Sequence, residues 1–166
     1  MIKKQARNIY FAGSIRGDQV GSELYVHIVD HLKKYGSVLT EHVAHAFKNP
    51  QRYNIAFTKK DIFQADMEFL KKANVMIAEV SAASHGVGRE LCYAQQIRKI
   101  PILALNLPEV DVSAMIEWNK DIYLHEYHDL VGCKEIIDGF FSSLDAIDKK
   151  KSRFLIKRSW TKRKNK

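Results

Sequence analysis

Cysteine is nearly absent from this 166-residue chain, and Cys92 and Cys133 do not stand at metal-ligand spacing. Two thiols make no disulfide framework, so burial has to hold the fold together. The seven histidines show no metal-type cluster either. No metal site is therefore expected, and no other cofactor is called for by any motif in the chain. No apolar run approaches the roughly 20 residues of a membrane span. The opening Met-Ile-Lys-Lys-Gln-Ala-Arg carries no apolar signal-peptide core. Internal repeats and low-complexity segments are missing as well. The cytosol is the expected compartment, and Cys92 is expected to be a small buried thiol rather than a reactive one.

Acidic residues are missing from one region only. Residues 149–166 hold ten of the 27 Lys and Arg and no Asp or Glu. The other 148 residues keep 17 basic against 19 acidic side chains, a net −2 beside the +8 of the whole chain. The basicity therefore belongs to a C-terminal tail on a near-neutral body, here taken as residues 1–148. The tail is expected to be a solvated end, with weak attraction to nucleic acid as the alternative. Phe154, Leu155, Ile156 and Trp160 could instead fold it into a short amphipathic helix.

What is present alternates. Strand-like runs fall at Asn8–Ser14, Ser37–His42, Val75–Val80, Pro101–Asn106 and Ile122–Tyr127. Helical patterns separate them at Gly21–Tyr35, Asp61–Ala73, Gly88–Arg98 and Ser113–Asn119, and a last one covers Leu130–Leu144. Gly36 looks like the residue that ends the first helix. This alternation predicts an α/β protein: a five-stranded parallel sheet in a flavodoxin-like, Rossmann-like three-layer sandwich with strand order 2-1-3-4-5. A ligand crevice is expected where that order reverses, between the loops after strands 1 and 3. The polar stretch Ala46–Asn54 reads as a long surface loop of the lid type.

Both crevice loops carry chemistry. After the apolar run from Val75 to Val80, the sequence Gly86-Val-Gly-Arg-Glu90 predicts a glycine-bearing loop and then a helix with Glu90 in its first turn. Glycines admit a ligand to the backbone, and a helix N-terminus favours anions. A carboxylate kept ionised there suits a nucleophile. The bland alternative is a tight turn followed by a first-turn acid. At the other loop, Ser14 and Arg16 make a phosphate-binding pair.

The blocks IYFAGSIRG (9–17), YGSVLTEHV (35–43), the Asp66 segment, VMIAEVSAASHGVGRE (75–90) and VSAMI (112–116) resemble the nucleoside 2-deoxyribosyltransferase superfamily. They stand in family order over about residues 8–145, and they resemble its deoxynucleoside monophosphate hydrolase branch most. The resemblance implies Glu90 as nucleophile at the anomeric carbon, Asp66 as the second carboxylate and Tyr10 as an active-site hydroxyl beside the sugar. It implies a substrate set of Ser14, Ile15, Arg16, Gly17, Ser84, Gly86, Gly88 and Ser113, chiefly around the phosphate, with His42 and Ile62 near the nucleobase. It further implies a homodimer in which Ser113 serves the neighbouring subunit's site. Arg89 departs from the pattern, because the hydrolases carry an aromatic residue there.

Each of these residues has a plainer reading. Asp66 alone would be a solvated helix acid, Tyr10 a half-buried strand aromatic, and Ser113 the cap of a short helix. Taken together they predict hydrolysis of 2′-deoxynucleoside 5′-monophosphates through a glutamate-linked intermediate. The alternatives are base exchange by a deoxyribosyltransferase and nucleotide sensing without chemistry.

Overall fold

The structure, a computed structural model, describes residues 7–15, 22–41, 43–44 and 58–164, the stretch 151–164 by its backbone alone. Five parallel strands form one sheet: β1 (Arg7–Ala12), β2 (Gly36–Val38), β3 (Val75–Glu79), β4 (Ile102–Asn106) and β5 (Ile122–Glu126). Their order is β2-β1-β3-β4-β5, the doubly wound order expected from the alternation. Tyr10 pairs with Met76 and Ala12 with Ala78 across β1 and β3. The order of strands reverses at this pair, so the loops following β1 and β3 part there and leave a crevice.

The helices between the strands are α1 (Ser22–Leu32), α2 (Lys59–Lys72), α3 (His85–Cys92), α4 (Ala114–Glu117) and α5 (Leu130–Lys164). A π-helical segment, Tyr93–Arg98, continues α3. Side chains of the central strands alternate between two cores. Ile9, Phe11, Ile77, Leu103 and Leu105 pack on one face against Tyr25, Ile28 and Leu32 of α1 and Ile137 and Phe141 of α5. Tyr10, Ala12, Met76, Ala78, Ile102 and Ala104 face the other way, against Leu70 of α2 and Val87 and Leu91 of α3. Every residue of β3 and β4 is buried, as a sheet covered on both sides requires. On the second face Ala12, Ala78 and Ala104 stand in register, a low row of methyl groups that lets α2 and α3 approach the sheet closely.

Two elements differ from expectation for local reasons. The second strand ends at Val38 because Thr40 takes over its pairing. The Thr40 hydroxyl donates to the Phe11 carbonyl at 2.7 Å and accepts from the Phe11 N–H at 2.8 Å. Gly36 does not cap α1 but begins β2, where a Cβ would lie 2.1 Å from the Arg7 carbonyl oxygen. The neighbour is backbone and cannot swing away. Gly36→Ala is expected to lower stability by about 1–3 kcal/mol, read as a drop in the urea midpoint at unchanged m value.

The expected Leu130–Leu144 helix runs much further. The backbone of 149–164 continues α5, so the basic stretch begins inside that helix. Among the described residues no helix is long and apolar enough to cross a membrane. Arg16, Gly17, His42 and the expected loop Ala46–Asn54 lie outside the described residues.

Candidate active site

A cleft of about 1370 Å³ opens at the carboxyl ends of the strands, at the predicted crevice. Its walls come from the turn after β1 (Gly13, Ser14, Ile15) and the loop after β3 running into α3 (Val80–Gly88, then Glu90 and Leu91). The first turn of α2 adds Lys59 and Ile62, and the segment Val110–Ser113 closes the far side. Of the residues singled out from sequence, Ser14, Ile15, Ile62, Ser84, Gly86, Gly88, Glu90 and Ser113 all line this one cleft.

The loop after β3 is shorter than expected, which changes the setting of Glu90. Ser84 is the N-cap of α3, and its hydroxyl accepts from the Val87 N–H at 3.4 Å. Gly86 and Gly88 therefore belong to the first turns of the helix and not to a loop, and the first turn holds no acidic residue. Glu90 stands further along, partly buried on the cleft side, with Leu91 beside it buried in the core. The reason is the serine: Ser84 caps earlier than the glycines would break. The glycines act through their missing side chains. A Cβ on Gly88 would meet nothing within 4 Å, so the helix start presents bare backbone to the cleft.

Tyr10 and Asp66 are not among the residues that line this cleft. Tyr10 is 2% exposed and belongs to the core between the sheet and α2 and α3. It was expected near the ligand end, yet Phe11 and Ala12 still separate it from the Gly13 turn. Asp66 is partly buried in the middle of α2. It shares a helix stripe with Ile62, one turn before it in the cleft, and Leu70, one turn after it in the core. Tyr10 thus packs in the same core as Leu91, the neighbour of Glu90, and Asp66 lies on the α2 stripe between the cleft and that core.

Ser113 caps α4, its hydroxyl accepting from the Met115 N–H at 3.4 Å, and it is exposed. The plain reading of this serine as a helix cap is correct as structure, and the same hydroxyl still borders the cleft. Around it α4 is unusually bare, with Met115 82% and Trp118 81% exposed. Arg89, the departure from the pattern, points its guanidinium over the Phe63 ring of α2 at 5.2 Å. That stacking joins α2 to α3 beside Glu90.

Some cleft residues carried no signal that sequence reading caught. Lys59 follows Thr58, whose hydroxyl and the Asp61 carboxylate form a capping box. The spacing Thr-x-x-Asp could have placed the start of α2, and with it Lys59, at the cleft mouth. Hydrogen bonds to Thr58 hold the Asp61 carboxyl below its ordinary range. Gln95 and Asn119 also line the cleft and exchange amide hydrogen bonds of 2.9 and 3.0 Å. They are far apart in sequence and carry no motif. Cys92 is corrected too. It is exposed and borders the cleft, because it falls on the outer side of α3, while Cys133 is the buried thiol. Burial first, and then the nearby Glu79, push the Cys133 thiol up to about 12. Among the described residues no group of three or more His, Cys, Asp and Glu could hold a metal.

The family model for nucleoside 2-deoxyribosyltransferases matches residues 9–133, a span that contains all of the sheet except the first two residues of β1, and the whole cleft. The chain belongs to that family. Within it, the chain is 38% identical over 141 residues to a Methanosarcina mazei protein provisionally named 2′-deoxynucleoside 5′-phosphate N-hydrolase 1. That alignment covers 83% of this chain and 86% of the relative. A 5-hydroxymethyl-dUMP N-hydrolase from Esox lucius is 42% identical over 125 residues, 74% of this chain and 86% of the relative. A CMP N-glycosidase from Clostridium botulinum superposes with a TM-score of 0.57 at 13% identity. The superposition spans 80% of this chain and 98% of that one, and shows a shared fold.

Proposed function

We propose that this family member hydrolyses the N-glycosidic bond of 2′-deoxynucleoside 5′-monophosphates, releasing the free base and deoxyribose 5-phosphate. Family membership, with relatives named N-hydrolase over most of the chain, makes it an enzyme of the N-glycosidase class. One observation carries the finer reading: a carboxylate, Glu90, shares a cleft with the Ser14 turn and the Ser84-capped start of α3. The serine hydroxyls and the backbone N–H groups at the start of α3 suit a phosphate. The carboxylate suits the anomeric carbon of the sugar attached to it.

In this mechanism the phosphate docks first and fixes the deoxyribose over Glu90. The Glu90 carboxylate attacks C1′ as the bond to the base breaks, forming a glycosyl ester. Water then opens the ester, and the hydroxyl product keeps the original configuration. Asp66 is the second carboxylate and assists proton transfer to the departing base. Tyr10, buried in the core that also holds Val87 and Leu91, supports the helix that carries Glu90 from beneath. Ile62 is assigned to the base and Ile15 to the phosphate side; the parts of His42 at the base and of Arg16 and Gly17 at the phosphate rest on the sequence resemblance.

The working unit is a homodimer. Its support is the bare α4 face, where Met115 and Trp118 flank the exposed Ser113. A partner seated there would bury both apolar side chains and bring a second Ser113 to the cleft. Ser113→Ala and Glu90→Ala chains, each weak or inactive alone, are then expected to recover part of the activity when mixed. A monomeric active species in sedimentation would contradict the shared site.

The experiment for the reaction itself is incubation with a panel of deoxynucleoside monophosphates, with and without a second free base, followed by chromatography. Free base and deoxyribose 5-phosphate are the expected products. New nucleosides or nucleotides carrying the added base would instead identify a transferase, and no turnover would leave a binding protein.

A further inference from the structure

Glu79 is the last residue of β3 and is completely buried, in a strand otherwise made of Val75, Met76, Ile77 and Ala78. Burying a carboxylate is costly, and an apolar side chain would serve this strand better. Its side chain lies on the α1 and α5 face, among Tyr25, Tyr127 and Cys133, whereas the helix of Glu90 packs on the opposite face. Glu79 therefore cannot reach a substrate in the cleft. What it does reach is the set of loops that build the cleft.

The Tyr25 hydroxyl donates to Glu79 Oε2 at 3.1 Å, and the Tyr127 hydroxyl donates to Oε1 at 3.1 Å. The Ser81 hydroxyl and, at 3.3 Å, the Ser81 N–H also donate to Oε1. Ser81 Oγ in turn accepts from the Leu107 N–H at 2.8 Å. Tyr25 continues the chain on the other side, because its hydroxyl is hydrogen-bonded to the Ser14 backbone. Its ring also lies directly under the turn, where a Cβ on Gly13 would come within 2.6 Å. One carboxylate thus connects the turn after β1 (Gly13, Ser14), the loop after β3 (Ser81), and the residues that follow β4 (Leu107) and β5 (Tyr127). Burial and the adjacent carboxylate raise both tyrosine pKa values, so each phenol stays a donor.

We infer that Glu79 is a positioning residue: through Tyr25 and Ser81 it holds the Ser14 turn in register with the Ser81–Ser84 loop and so sets the affinity of the cleft for the substrate's phosphate. This rests on the reading of those two loops as the phosphate side of the cleft. The dependence runs through Tyr25 to Ser14, whereas Tyr127 braces the same carboxylate from the far end of the sheet. Removing either hydroxyl weakens the network, but only Tyr25 touches the turn.

The test compares Tyr25→Phe, Tyr127→Phe and Glu79→Gln with the wild-type chain. It uses steady-state hydrolysis of a deoxynucleoside monophosphate and calorimetric titration with inorganic phosphate and with deoxyribose 5-phosphate. Tyr25→Phe is expected to raise KM for the monophosphate about tenfold and to weaken deoxyribose 5-phosphate binding by a similar factor. Its kcat should stay within about threefold. Tyr127→Phe should lower the melting temperature comparably yet leave KM within about threefold. Should Glu79→Gln not fold, the two phenylalanine variants carry the test alone. A wild-type enzyme that cleaves the monophosphate, beside a Tyr25→Phe variant with unchanged KM and product affinity, overturns the positioning role. Equal KM increases in both phenylalanine variants overturn it as well, because the effect is then general softening. A wild-type chain that neither binds nor cleaves monophosphates overturns the functional reading, and this inference with it.

Discussion

Glu90→Ala is expected to lower kcat by at least about a thousandfold, some 4 kcal/mol of barrier, while the protein remains folded. Glu90 is partly buried on the cleft side and the neighbouring Leu91 does the packing, so the fold does not hang on the carboxylate. Glu90→Gln is the sharper variant. It keeps the shape and the hydrogen-bonding oxygen of the side chain but removes the nucleophile, and it should fall nearly as far. Substrate affinity should change little, because the mechanism assigns the phosphate to other groups. A folded Glu90→Ala enzyme within about tenfold of wild type, roughly 1.4 kcal/mol, would exclude Glu90 as nucleophile.

The second large effect concerns the phosphate. Charge-assisted hydrogen bonds contribute roughly 1.5–3 kcal/mol each, and the cleft offers the Ser14 turn and the Ser84-capped helix start together. Two such contacts predict a preference for monophosphate over the matching nucleoside of at least about a hundredfold in kcat/KM. Arg16→Ala should narrow that ratio by hurting the monophosphate and sparing the nucleoside. The measurement is kcat/KM for both forms of one deoxynucleoside. Equal values for the wild type would move the assignment to base exchange between nucleosides.

The central features of the fold were legible because they are period-based. Val75–Ala78 and Ile102–Leu105 read as continuous apolar runs, which is how doubly covered parallel strands look, and the strand order followed from the alternation. Placement of the crevice followed from the order. Local competition between side chain and backbone was harder to see. Thr40 ends β2 through its own hydroxyl, and Ser84 starts α3 ahead of two glycines that look like loop residues. Gly36 shows the opposite case, a glycine explained by an approach to Arg7 that only the paired sheet creates. At the site, motif residues on loop ends fell into the cleft together. Gln95 with Asn119, and Glu79 with its tyrosines, depend on contacts between distant segments and left no periodic trace.

A covalent glycosyl ester on Glu90 makes a stereochemical demand that a direct attack by water does not. Two displacements at C1′ return the starting configuration, and one displacement inverts it. Turnover of a deoxynucleoside monophosphate in dilute methanol, with the anomer of the trapped methyl deoxyriboside 5-phosphate assigned by proton NMR, reads this out. The β anomer is expected, in the same ratio to deoxyribose 5-phosphate whichever base departs, and none from Glu90→Ala. A purely α product would contradict it, since water or methanol would then have attacked the nucleotide directly.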